Sequence, residues 1–212
     1  SYDLPAYLDA LAPRLGNVDL VVGLDSGCGD YERLWMTTSL RGLAAGKLEV
    51  EVLTEGVHSG DASGVVPSSF RIARKLLDRL EDSATGWIIP SAFHAQIPSG
   101  RVAQAAEAAT ILGDIVFRKY PFAAGTRAMV DDGAEALLNR TWRPALSVIG
   151  ADGLPPIADA GNVLRPITAL ELSLRLPPPV DGNAATAAMK SLLEANPPHG
   201  ARVTFEPAQG AT

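Results

Sequence analysis

The chain holds a single cysteine, Cys28, among 212 residues. It cannot make an internal disulfide, so nothing asks for an oxidising compartment. Positive charge is also scarce: 18 Lys and Arg stand against 24 Asp and Glu, a formal net charge of −6. Nucleic acid and anionic membrane both need a basic face, and neither is expected as a partner. No apolar run approaches the roughly 18–20 residues of a membrane span, and no basic segment followed by an apolar one opens the chain. The cytoplasm is the expected location. Histidines number three. Neither His94 nor His199 is followed two residues on by a carboxylate, and no His pair has helical ligand spacing, so a complete metal site is not expected in this chain. What remains is an ordinary globular composition, 47% hydrophobic and 20% charged, with length enough for one domain or a domain and a half.

Hydrophobic periodicity divides this length. Leu4, Tyr7, Leu8, Leu11 and Leu15 recur at helical spacing. The run 18–25 is almost continuously apolar, as in a strand buried on both faces of a parallel sheet, and ends in the loop Ser26-Gly-Cys-Gly29. A further strand is predicted over 34–41. Residues 47–54 alternate, with Leu48, Val50 and Val52 on one face and Lys47, Glu49 and Glu51 on the other. A helix follows over 68–82, its stripe formed by Phe70, Ala73, Leu76, Leu77 and Leu80. Helices are expected at 101–113, 133–140 and 183–195, and strands at 145–149, 168–176 and 202–206. From Lys47 onward the order is strand, helix, long insertion, strand, strand, helix, strand. That is the split βαβ pattern of a ferredoxin-like α+β domain: four antiparallel strands with helices on one face.

Few residues stand out for chemistry. His58 lies in the loop Thr54-Glu-Gly-Val-His58-Ser-Gly60-Asp-Ala-Ser-Gly64, where it reads either as a solvated histidine or as a site residue whose flanking glycines permit close approach of a ligand. Asn162 reads as a turn residue. Arg175 lies off the leucine face of its strand, either solvated or as a bidentate clamp on a carboxylate. Asp25 ends the apolar run 18–25, at the strand end where α/β sheets place ligands, or caps its Gly-rich loop. Cys28 has no visible base, acid or second thiol and reads as a bystander. Helix-end electrostatics account for Glu81-Asp82 and Asp131-Asp132.

Taken together, Leu24-Asp25-Ser-Gly27, Thr38-Ser-Leu-Arg-Gly42, Gly56-Val-His58-Ser-Gly60, Ser63-Gly-Val-Val-Pro67, Gly161-Asn162-Val163 and Leu172-Ser-Leu-Arg175-Leu176 resemble, in order and spacing, the M20 family of zinc metallopeptidases and deacylases. The carnosinase-like dipeptidase branch is the most similar. The resemblance implies a catalytic α/β domain with two zinc ions and an inserted lid, or dimerisation domain, built on a ferredoxin-like sheet. It divides this chain into a stub of the catalytic domain at 1–41 and the lid at 42–208, with a helical insertion around 84–142. It also implies Asp25 as a zinc ligand, His58 as the lid histidine that reaches the partner subunit's site and stabilises the oxyanion, Asn162 as a residue at the substrate, and Arg175 as the group binding the substrate carboxylate. Some relatives carry Thr where this chain has Asn162.

The family's upstream His-x-Asp motif, its Glu-Glu pair and its late His ligand are not found here. The resemblance therefore implies a piece of a larger metallohydrolase acting on small peptides or N-acyl amino acids, a homodimer through the lid, with an incomplete zinc-ligand set and no activity of its own. Strand 47–54 is the expected edge for pairing with a second copy. A stand-alone ferredoxin-like binding or assembly module is the alternative.

Overall fold

The structure is a computed structural model that describes residues 3–23 and 27–208. The chain divides into two units, Ser1–Thr37 and Thr38–Thr212.

In the first unit, α1 spans Leu4–Leu15 and buries no residue. The strand predicted over 18–25 does not form across 18–23, where Leu20, Val21 and Val22 are exposed, and residues 24–26 lie outside the described residues. A buried strand needs a hydrogen-bonded neighbour, and among the described residues none runs beside it.

The second unit is built on a four-stranded antiparallel sheet in the order β3-β5-β1-β6. In chain order its elements are β1 (Gly42–Glu51), β2 (Val57–His58), α2 (Ser59–Ala62), α3 (Ser69–Leu77), α4 (Ser99–Leu112), α5 (Ile115–Arg118), α6 (Gly133–Thr141), β3 (Ala145–Asp152), β4 (Val163–Leu164), β5 (Ile167–Leu176), α7 (Gly182–Glu194) and β6 (Arg202–Pro207). The ferredoxin-like expectation holds. The strand predicted over 34–41 does not form; β1 starts at Gly42, opposite Leu176. Pro177, Pro178 and Pro179 follow Leu176 and offer no N–H to carry the ladder further.

Alternation sorts each strand into two faces. Ala44, Leu48 and Val50 of β1, Leu170, Leu172, Leu174 and Leu176 of β5, and Phe205 of β6 make the core face. Ile72, Ala73 and Leu76 of α3 and Ala185, Met189 and Leu193 of α7 close over it. Each such Leu contributes roughly 1.5–3 kcal/mol by leaving water. On α3 the stripe is rotated from the predicted one: Ile72 is buried and Phe70 is exposed. Polar caps set the helix starts. Ser68 Oγ accepts from Arg71 N–H, and the carboxylates of Asp132 and Asp181 accept from Glu135 N–H and Ala184 N–H, which gives Asp132 the helix-end role expected of it. Arg79 donates to the carbonyls of Leu192, Ala195 and Asn196, tying the segment after α3 to the C-terminal end of α7. The insertion between α3 and β3 is helical, α4 packing on α6 with α5 beside both.

The expectation that strand 47–54 offers a free edge is overturned. β1 is central, paired with β5 from Gly42 to Glu51 and with β6 from Gly46 to Glu51. The edges of the sheet are β3 and β6.

Candidate functional site

His58 ends β2, which pairs with β4: Val57 lies opposite Leu164 and His58 opposite Val163. Ser59 N–H donates to the Asn162 carbonyl at 2.9 Å. The two candidate residues, more than a hundred positions apart in sequence, are thus brought together on one two-stranded ribbon. The His58 side chain is exposed and caps α2, its Nδ1 accepting from Gly60 N–H at 3.2 Å. A ring whose Nδ1 accepts carries its proton on Nε2. The imidazole therefore presents an Nε2–H donor away from its own backbone.

Two of the glycines around His58 are required by the chain itself. A Cβ on Gly56 would lie 2.7 Å from Val163 Cγ1, and one on Gly60 would lie 2.9 Å from His58 Cε1. Both serve close approach of the chain to itself. The ribbon is fixed to the sheet by Val52 N–H, which donates to the Pro166 carbonyl at 2.9 Å. Nearby, the buried hydroxyls of Ser69 and Thr168 meet at 2.9 Å, and Ser69 Oγ also reaches the Arg165 carbonyl.

Arg175 is exposed near the far end of β5, paired with Leu43 of β1 and Ala145 of β3. Asn162 precedes the start of that strand. The ribbon and Arg175 thus belong to opposite ends of β5, and the eight residue steps from Ile167 to Arg175 span roughly 26 Å of extended chain. The fold brings His58 and Asn162 together and leaves Arg175 apart from them.

Around Arg175 the structure gathers groups the sequence did not mark. Arg41, half-buried, stands two residues before Leu43, the cross-strand partner of Arg175. Arg140, exposed, lies in the last turn of α6, five residues before Ala145. Burial pushes the Arg41 guanidinium pKa down, as do the neighbouring charges of Arg175 and then Arg140, against an opposing influence from Tyr120. The Tyr120 ring carries Lys119 Nζ 4.9 Å from its centre. Arg41 stood within the motif Thr38-Ser-Leu-Arg-Gly42; for Arg140 no sequence signal exists, because a helix-to-strand junction delivers it.

The remaining candidates separate cleanly. Asp25 lies outside the described residues. Among the described residues no three His, Cys, Asp or Glu side chains gather as a metal site. The described donor set does not fit a zinc pair, and the chemistry open to it is hydrogen bonding and charge. Cys28 is exposed. His94 is structural: its Nε2 lies 2.6 Å from the Ile88 carbonyl and its ring packs against Trp87. His199 lines an open cleft with Glu51, Thr54 and Arg202. Among the described residues no helix is long and apolar enough to cross a membrane.

Comparison with known proteins agrees with this architecture. Residues 38–201 match the peptidase dimerisation domain of the M20 family. The chain is 27% identical over 205 residues to a cysteinylglycine-S-conjugate dipeptidase of Corynebacterium striatum, covering 90% of this chain and 40% of that protein. It therefore spans about two fifths of that relative's length. Among solved structures, an M20 family metallo-carboxypeptidase of Sulfolobus solfataricus superposes with a TM-score of 0.64 at 16% identity, over 97% of this chain and 47% of that one. Human carnosine dipeptidase 1 gives 0.61 at 17% identity, over 82% and 38%. At these identities the structures speak for the fold alone. The family match covers well over half of the chain and falls on the unit that carries the sheet, the ribbon and the arginines; this chain belongs to the M20 peptidase dimerisation domain family.

Proposed function

We propose that the chain is the lid of an M20 metallohydrolase that cleaves the amide bond of small peptides or N-acyl amino acids as a homodimer, with the metal ions held outside its described residues. His58 donates its Nε2–H to the oxyanion that develops on the scissile carbonyl, Asn162 lies beside it at the substrate, and Arg175 binds the substrate carboxylate as a fork. Dipeptide hydrolysis by the Corynebacterium relative supports the substrate class.

The observation that carries this reading is the separation of Arg175 from the His58 ribbon at opposite ends of β5. An extended dipeptide is only about 7 Å long. One substrate cannot touch both ends of one lid, so each lid serves two sites: its own through Arg175, and its partner's through His58 and Asn162. Two-fold symmetry then completes both sites at once.

The self-pairing edge is assigned to β3. Its residues from Ser147 to Asp152 are exposed and include apolar Val148 and Ile149, whereas β6 presents Arg202, Thr204 and Glu206. In the full-length enzyme, His58→Ala is expected to lower kcat by about 10²–10³-fold with little change in KM or metal content, since the residue acts on the transition state. An unchanged kcat refutes the assignment. Loss of metal with loss of rate would make His58 a ligand instead.

A further inference from the structure

We propose that Arg41, Arg140 and Arg175 form one anion subsite, with Arg140 the residue that selects substrates whose C-terminal residue is itself acidic, Asp or Glu. The inference rests on the reading of Arg175 as the carboxylate-binding group and adds a second carboxylate to it.

The first support is charge imbalance. The chain carries a net charge of −6, yet three guanidiniums converge at one end of the sheet. Among the described residues none of the three is in an ion pair with a carboxylate. Glu135, the acidic residue on the same helix as Arg140, is taken up by Arg143 at 2.6 Å. Arginine cannot relieve such crowding by releasing a proton, because a guanidinium stays charged in proteins. The repulsion persists until an anion arrives from outside.

The second support is placement. Three elements bring the groups to one end of the sheet: Arg41 just before β1, Arg175 near the end of β5 opposite Leu43 and Ala145, and Arg140 in the last turn of α6, five residues before Ala145, with Arg175 and Arg140 both near enough to act on the Arg41 charge. Arg41 is half-buried, so its charge is poorly served by water, while Arg140 and Arg175 are exposed to an incoming ligand.

Donor arithmetic sets the ligand class. Each guanidinium offers about five N–H donors, and one carboxylate offers about four acceptor positions. A single α-carboxylate satisfies Arg175 and leaves two cations without a counter-ion. A second carboxylate on the same residue reaches the neighbouring guanidiniums and makes the charges balance more closely. An apolar or cationic C-terminal side chain would meet uncompensated positive charge instead.

The test is titration of the 212-residue chain with N-acetyl-glutamate and N-acetyl-alanine, followed by the NMR signals of the arginine side chains. The diacid is expected to bind on the order of tenfold more tightly than the monoacid. Arg140→Gln should close most of that gap and Arg140→Lys should keep part of it, both with melting temperatures near that of the parent. Arg175→Gln should weaken both ligands. Equal affinity of the two acids, with both weakened by Arg175→Gln, overturns the dicarboxylate subsite and leaves the role of Arg175 standing. A diacid preference that survives Arg140→Gln overturns the assignment to Arg140. Binding insensitive to Arg175→Gln overturns the underlying reading, and failure of both acids to bind overturns the anion subsite.

Discussion

His58 shows how little sequence a usable donor needs. Its orientation comes from one hydrogen bond, Gly60 N–H to Nδ1, and from the missing side chain on Gly60, where a Cβ would sit 2.9 Å from Cε1 and 3.1 Å from Nδ1. Gly60→Ala is therefore expected to turn the ring away and break that bond. The nitrogen-15 shifts of the imidazole would move from the pattern of a fixed Nε2–H tautomer towards averaged values, with the melting temperature nearly unchanged because the residue is exposed. An unaltered tautomer signature would show that something other than Gly60 holds the ring. A lone loop histidine gave no hint of this arrangement; only the family motif around it did. Arg175 was legible as a residue off the leucine face and Arg41 stood inside a motif, but Arg140 carried no signal. Arg140 comes to the same end of the sheet through the turn from α6 into β3, a relation that no local spacing encodes.

At the level of elements, Gly46 leaves no room for a side chain in the sheet. A Cβ there would lie 2.5 Å from the Glu206 carbonyl oxygen and 2.6 Å from Phe205 Cζ, so the β6 backbone and the aromatic ring occupy its place. Gly46→Ala is expected to destabilise by about 1–3 kcal/mol, read as a lower urea midpoint at unchanged slope. Gly42→Ala, whose Cβ would make an ordinary 3.5 Å contact with Leu176, is the internal comparison and should cost far less. Period-two alternation made β5 legible almost residue for residue, since Leu170, Leu172, Leu174 and Leu176 all face the core. The same alternation misled about β1. It tells which face of a strand is wet and nothing about whether its edges are free, and β6 from the far end of the chain covers the second edge. The apolar run 18–25 failed for a related reason: hydrophobicity asks for cover without specifying what supplies it.

At the level of the whole molecule, association of two copies depends on an edge that remains open. With β1 enclosed, the open edges are β3 and β6, and β3 is the one proposed above to pair. Its ladder is interrupted by a bulge between Val148 and Gly150, which leaves Ile149 without a partner on β5 and 64% exposed. Ile149→Lys is expected to shift the chain towards monomer in sedimentation at micromolar concentration, because a charge on a bare edge opposes strand addition. A mass unchanged by that substitution would move the interface elsewhere. If His58 serves the neighbouring site as proposed, a true monomer of the full-length enzyme should also lose turnover.

β5 also sets a dimension. Arg175 and the His58 ribbon belong to its two ends, so in the two-site dimer proposed above the length of this strand enters the spacing between the two centres. Side chains alternate with period two, so residues can be lost or gained here only in pairs if the leucines are to keep facing α3 and α7. In that dimer each such pair would lengthen the strand between the two ends by roughly 6.6 Å. The insertion between α3 and β3 lies outside the sheet and is free of that parity rule.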